Sequence, residues 1–213
     1  MNTAEWVGYL ATVVTIASYT NGIPLCRQIY KQRSSRDVAY LPLVCGCFST
    51  FVWLQYGLVK PDHNVVVVNA LGIVLQVFYV LFYYFFTESQ RMSQATGMIF
   101  GLVLFMAFVA VYVHSSAFSA EHTAAVLGKV GSLSSLFFYA SPLLSIAEVL
   151  KSGSSDILPS SIITWSFVVS ALWAVYGLLL KDANLYVANG IGVCITGFEL
   201  FVCAWYPARK KSE

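Results

Sequence analysis

Residues 53–72 read WLQYGLVKPDHNVVVVNALG, and residues 173–192 read WAVYGLLLKDANLYVANGIG. Laid over each other at an offset of 120 without a gap, nine of these twenty positions are identical. The matches include Trp53/Trp173, Tyr56/Tyr176, Gly57/Gly177, Asp62/Asp182, Asn69/Asn189 and Gly72/Gly192. The prolines repeat within a few residues of the same offset, Pro24 with Pro142 and Pro42 with Pro159. The chain therefore holds two copies of one unit. Several of the matched residues are polar, which packing against lipid does not require.

Outward from this pair the chain is apolar almost throughout. Of its 213 residues 58% are hydrophobic and only 10% are charged, against about 25% charged in soluble domains. The charges cluster and leave seven uncharged stretches, residues 6–26, 38–59, 63–87, 92–120, 130–147, 157–180 and 183–198. Five exceed about 20 residues, the length a helix needs to cross roughly 30 Å of hydrocarbon. The fifth is bounded by Lys129, which can snorkel. The seventh continues past Glu199, which like Lys129 lies near enough to a helix end to snorkel. The expected fold is an all-α membrane protein of seven transmembrane helices. Residues 1–89 form the first three-helix repeat, residues 90–121 a linker helix 4, and residues 122–213 the second repeat with a short basic tail. A single linker helix makes the two copies run the same way across the membrane, one of the repeat arrangements used by transporters.

Nine basic residues fall on one side of this topology: Arg27, Lys31, Arg33, Arg36, Arg91, Lys151, Arg209, Lys210 and Lys211. Only Lys60 and Lys181 fall on the other. The positive-inside rule puts the nine in the cytoplasm, the N-terminus outside and the C-terminus inside. The first segment has no basic region before it and reads as a retained helix, not a signal peptide. The five cysteines show neither a paired framework nor metal-ligand spacing and read as buried, inert thiols. No His/Cys cluster, acid pair or nucleophile motif suggests an enzyme, and no cofactor, metal or nucleic-acid partner is expected. The partners expected are a small solute and the lipid bilayer.

Two three-helix units around a linker, with paired W-x-x-Y-G and N-x-x-G motifs and paired prolines, resemble the SWEET sugar-transporter family over essentially the whole chain. The resemblance implies a passive, bidirectional carrier of mono- or disaccharides that works by alternating access and forms homo-oligomers. The plasma membrane is the expected location, with the Golgi or another endomembrane as the alternative. Related PQ-loop carriers of amino acids have a Pro–Gln pair where this chain has Pro24-Leu25 and Pro142-Leu143, which weakens that reading. A seven-helix receptor would fit the helix count but has no use for a duplicated half.

Counted along the helices, Trp53, Asn69, Trp173 and Asn189 all lie roughly 9 Å below the outer ends of their segments, at about 1.5 Å per residue. An indole face can stack on the apolar C–H patches of a sugar, and an Asn amide offers donors and an acceptor to hydroxyls. The resemblance carries the central sugar pocket onto these four residues. It also implies an outer gate in which Tyr56 pairs with Asp182, with Tyr176 the repeat counterpart of Tyr56. Asp62 and Asp182 are expected to begin the outer loops.

The four prolines complete the set. Pro24 and Pro142 come late in their helices, where each removes an N–H and frees the carbonyl of Thr20 or Phe138, so that a kink results. Pro42 and Pro159 come early, where proline is tolerated. The resemblance implies that all four flex together to open the inner side. Within helix 4, Gly97-x-x-x-Gly101 would let another helix approach closely. Pro24→Ala is expected to slow or abolish transport while the protein still reaches the membrane; wild-type flux in that variant would remove the hinge role.

Overall fold

The computed structural model describes residues 2–207 apart from 116 and 159, and all their side chains except those of 136–145. Among the described residues there is no β-strand. The chain forms α1 (Thr3–Ser18), a 3-10 turn (Tyr19–Asn21), α2 (Gly22–Gln32), α3 (Leu41–Val59), α4 (His63–Phe85), α5 (Ser89–His114), α6 (Ala120–Ser152), α7 (Ser160–Leu179) and α8 (Ala183–Trp205). Five of these, α3, α4, α5, α7 and α8, are long and apolar enough to cross a membrane. Large apolar side chains cover their outward faces, among them Phe78, Phe85, Phe108, Val111 and Trp205. Such a surface is stable against lipid and not against water, so the protein is an integral membrane protein.

The first apolar stretch is not one helix. It breaks at Tyr19–Asn21, about one turn ahead of Pro24, and restarts as α2. Pro24 has no N–H to bond the Thr20 carbonyl. The neighbouring Tyr19 carbonyl, which the Gly22 N–H also reaches, accepts from the hydroxyl of Tyr79 on α4, at 2.8 Å. Gly22 is needed here, because a Cβ at that position would run into the Tyr79 ring. Pro42 sits in the first turn of α3, as expected. At Pro142 the backbone of α6 is helical, and its side chain lies outside the described residues. Pro159 and the basic tail residues Arg209, Lys210 and Lys211 also lie outside them.

Close packing divides the chain into two compact units, Thr12–Ser134 on the one hand and Met1–Ala11 with Ser135–Glu213 on the other. The first is built around Ile29, Val38, Tyr40, Cys47, Val80, Tyr83, Ala95 and Leu102. In it Tyr40 stacks on Tyr83 with ring centroids 4.2 Å apart, and α5 lies on α3 through an edge-to-face contact of Phe48 with Phe105. The second has a core of Ile146, Val149, Leu158, Ile163 and Val202. Gly97 and Gly101 of α5 face open space, with nothing near the position of a Cβ. Among the described residues, nothing packs against the glycines of that motif.

The offset of 120 is written into the hydrogen bonds as well as the residues. The N–H of Ser35 donates to the Phe86 carbonyl at 3.1 Å, and that of Ser155 to the Tyr206 carbonyl at 2.9 Å. Val38 and Leu158 close the same turns by donating to the Ser35 and Ser155 carbonyls. The helices before these turns end alike, with a left-handed residue at Arg33 (φ 53) and at Gly153 (φ 67). Glycine adopts that conformation without strain, whereas a side chain there costs about 1 kcal/mol. Arg33 carries it with its guanidinium held 4.3 Å over the Tyr30 ring.

A Cβ at Gly153 would meet open space, so a substitution there reports backbone strain alone. Gly153→Ala should lower stability by about 1 kcal/mol, read as a lower thermal unfolding midpoint of the detergent-purified protein. An unchanged midpoint would contradict the left-handed assignment.

Candidate substrate-binding site

Each copy of the quoted motif folds into a helical hairpin whose tip holds three residues, 60–62 between α3 and α4 and 180–182 between α7 and α8. At both tips the aspartate N–H donates back to the glycine carbonyl, Asp62 to Gly57 at 3.1 Å and Asp182 to Gly177 at 2.8 Å. The glycines are required by closeness. A Cβ at Gly57 would lie 2.9 Å from Cγ1 of Val65, and one at Gly177 would lie 2.6 Å from the Tyr186 nitrogen.

Asp62 and Asp182 do not simply begin loops. Each is the N-cap of the following helix, where a carboxylate satisfies backbone donors that have no partner within the helix. Asp62 accepts from Val65 N–H at 3.0 Å. Asp182 accepts from Asn184 N–H at 3.1 Å and Leu185 N–H at 3.4 Å. Asp182 is also only 4% exposed.

Trp53 is six residues before the last residue of α3, and Asn69 six residues after the first of α4. Trp173 and Asn189 stand in the same places on α7 and α8. The local geometry repeats with them. Asn69 donates from Nδ2 to the Val65 carbonyl at 2.8 Å, and Asn189 to the Leu185 carbonyl at 2.9 Å. Each amide is thus tethered to its own helix by one N–H. A second N–H and the carbonyl oxygen remain as bonding capacity. Both asparagines are half-buried.

Trp53 meets Tyr56 edge to face, with centroids 5.3 Å apart and planes at 76°. Trp173 meets Tyr176 in the same way, at 5.6 Å and 76°. Both tyrosines are buried, Tyr56 completely, so neither is an interfacial side chain floating in headgroups. The two tryptophans differ: Trp53 is half-buried, while Trp173 is 7% exposed.

Two features were missed by sequence reasoning, and a third differs from what it expected. The first is Tyr79, whose hydroxyl ties α4 to the break before Pro24. The second is the approach of α6 to α3, where Ser134 hydrogen-bonds Ser49 through their side-chain oxygens at 2.9 Å and Gly131 lies against the Trp53 indole. The third is Glu199 at the position matching Tyr79. It does not snorkel to a helix end but is 1% exposed, and its Oε1 has no hydrogen-bond partner among the described residues. A search for identical pairs passes over all three, because none is a matched identity. Lys129 is exposed, as snorkelling requires. All five cysteines are free, but Cys194 is exposed on α8 and only Cys47 is buried.

The comparisons with known proteins agree with the duplication. The sequence model of the family described as "Sugar efflux transporter for intercellular exchange" matches twice, at residues 5–91 and 125–211. Sugar transporter SWEET1 of Drosophila pseudoobscura pseudoobscura is 29% identical over 98% of this chain and 92% of its own length. Bidirectional sugar transporter SWEET16 of Arabidopsis thaliana is 27% identical over 94% of this chain and 88% of its own. A solved structure of a eukaryotic SWEET transporter superposes with a TM-score of 0.86 at 26% identity, covering 95% of this chain and 96% of that one. With both halves of the chain matched by the family and the whole fold shared with a solved member, this chain belongs to the SWEET family of sugar transporters.

Proposed function

We propose that this chain is a passive, bidirectional uniporter for mono- or disaccharides, working by alternating access and located in the plasma membrane. Its path crosses the bilayer seven times. The broken pair α1–α2 and the 33-residue α6 add two crossings to the five apolar helices. The repeats are residues 1–89 and 122–213, joined by the linker helix of residues 90–121. The N-terminus is outside and the C-terminus cytoplasmic, from the distribution of basic residues. The chain acts as a transporter and not as an enzyme, in keeping with the family to which it belongs.

The observation that carries this reading is the Trp and Asn repeated at matching helix positions, with the same amide tether, in both hairpins. Trp53, Asn69, Trp173 and Asn189 bind the sugar. The indoles offer flat apolar faces to C–H patches, and the tethered amides offer donors and acceptors to hydroxyls. A hydroxyl taken from water without a partner costs about 1–3 kcal/mol, so fixed amides at equal depth lower the barrier to entry from either side. None of the four is an ion, which suits a neutral solute. Tyr56, Tyr176 and Asp182 close the outer end, and Pro24, Pro42, Pro142 and Pro159 flex at the inner end.

Proteoliposomes holding the wild type, with no ion gradient, should take up radiolabelled glucose or sucrose saturably. The Asn69→Ala/Asn189→Ala double variant should lose at least tenfold of that flux. Flux unchanged in the double variant would remove the amides from the path.

The gate is tested against its repeat partner, because both aspartates cap helices and asparagine caps nearly as well. Asp182→Asn should reduce uptake several-fold more than Asp62→Asn, with equal thermal midpoints for the two. Equal uptake in both would leave Asp182 as a cap only.

A further inference from the structure

The Trp53 indole rests on a bare stretch of α6. A Cβ added at Gly131 would lie 2.8 Å from Cε2 of Trp53 and 3.1 Å from both Cζ2 and Nε1. Carbon atoms in ordinary contact sit about 3.5–4.0 Å apart. Any side chain at residue 131 must therefore push the indole or the helix by several tenths of an ångström.

The helix is held in place. One turn beyond Gly131, the Ser134 hydroxyl hydrogen-bonds Ser49 of α3 at 2.9 Å, and both serines are buried. Ser49 lies one turn before Trp53, so the two contacts form a short ladder between α3 and α6. Separating the helices would break a buried hydrogen bond. The indole has little freedom towards Tyr56, which meets it edge to face at 5.3 Å and is itself completely buried. Trp53 is half-buried, so part of its ring stays accessible.

The second copy is built differently at this point. Gly8 and Gly128 lie 120 residues apart, and the same offset pairs Gly131 with Ala11. Ala11 is fully buried, and it packs in the same unit as Trp173, the more deeply buried of the two indoles. Only Trp53 has a glycine at the position matching its seat.

We infer that Gly131 is a specificity-determining position for transport: by leaving room for the Trp53 indole against α6, it sets how far that ring projects towards the sugar. This rests on the reading of Trp53 as a sugar-binding residue. Gly131 is a positioning residue, acting through Trp53 without touching the sugar. A side chain at residue 131 drives the indole into the substrate space, so the loss is larger for a disaccharide than for a monosaccharide.

The test is sugar uptake by proteoliposomes, resolved into half-saturation constant and maximal rate, for Gly131→Ala, Trp53→Ala, Trp53→Phe and Gly131→Ala/Trp53→Phe. Gly131→Ala should raise the half-saturation constant about tenfold, equivalent to about 1.4 kcal/mol, with a smaller change in maximal rate. The double variant should return to the value of Trp53→Phe alone, because the smaller ring no longer meets the added methyl. If Trp53→Ala weakens sugar binding while Gly131→Ala matches wild type, Gly131 has no such role and the sugar layer stands. An unchanged half-saturation constant in Trp53→Ala overturns the layer itself, and the Gly131 inference with it. If Gly131→Ala is impaired and the smaller ring restores nothing, or if neither Gly131 variant reaches the membrane, the glycine serves helix packing alone and the inference is overturned.

Discussion

A helical hairpin inside a membrane protein must satisfy the backbone groups at its tip without drawing water into the hydrocarbon. Here that is achieved by a three-residue turn in which an aspartate does two things. Its N–H closes back onto a glycine carbonyl of the helix before, and its carboxylate caps the helix after. The glycine is required because the following helix passes where a Cβ would be. This turn occurs twice, and it fixes both the angle and the register of α3 against α4 and of α7 against α8. Register is what places one Trp and one Asn at the same depth in each hairpin. The placing of the Trp and the Asn in each hairpin thus depends on a backbone turn some two helical turns away.

The two copies share a frame but not all of their fittings. The loops ahead of α3 and α7 are latched by the same backbone bonds, to Phe86 and to Tyr206. The left-handed residue ending the preceding helix is Arg33 in one copy and Gly153 in the other. Tyr79 closes the break before Pro24, while its counterpart Glu199 is a buried carboxyl with an oxygen left without a hydrogen bond among the described residues. A glycine lies against Trp53, while the matching position in the other copy is an alanine. The frame repeats one Trp and one Asn at matching helix positions in each copy. The two tryptophans differ in burial, Trp53 half-buried and Trp173 buried.

Much of this was legible in the residues. Identity at a fixed offset exposed the duplication, and counting from the helix ends placed Trp53, Asn69, Trp173 and Asn189 where α3, α4, α7 and α8 put them. The class of Pro42 followed from its position alone. What was not legible has a common cause. A match between copies reveals that a residue is needed twice, but not what it touches. Asp62 and Asp182 were found by repetition, yet their capping role depends on where the next helix starts. The break at Tyr19–Asn21 is stabilised by Tyr79, sixty residues on, and no local pattern encodes that bond. Gly131 was passed over because its counterpart is a different residue, and Glu199, expected to reach a helix end, is buried instead.

The central claim is the proposal that the two asparagines, held by matching tethers at the same helix positions, serve one sugar. Equilibrium exchange of labelled glucose across proteoliposomes, measured separately for Asn69→Ala and Asn189→Ala, tests it most directly. The account predicts that each single variant loses exchange, and by a comparable factor, with both proteins folded and inserted. Full exchange in either variant would contradict it.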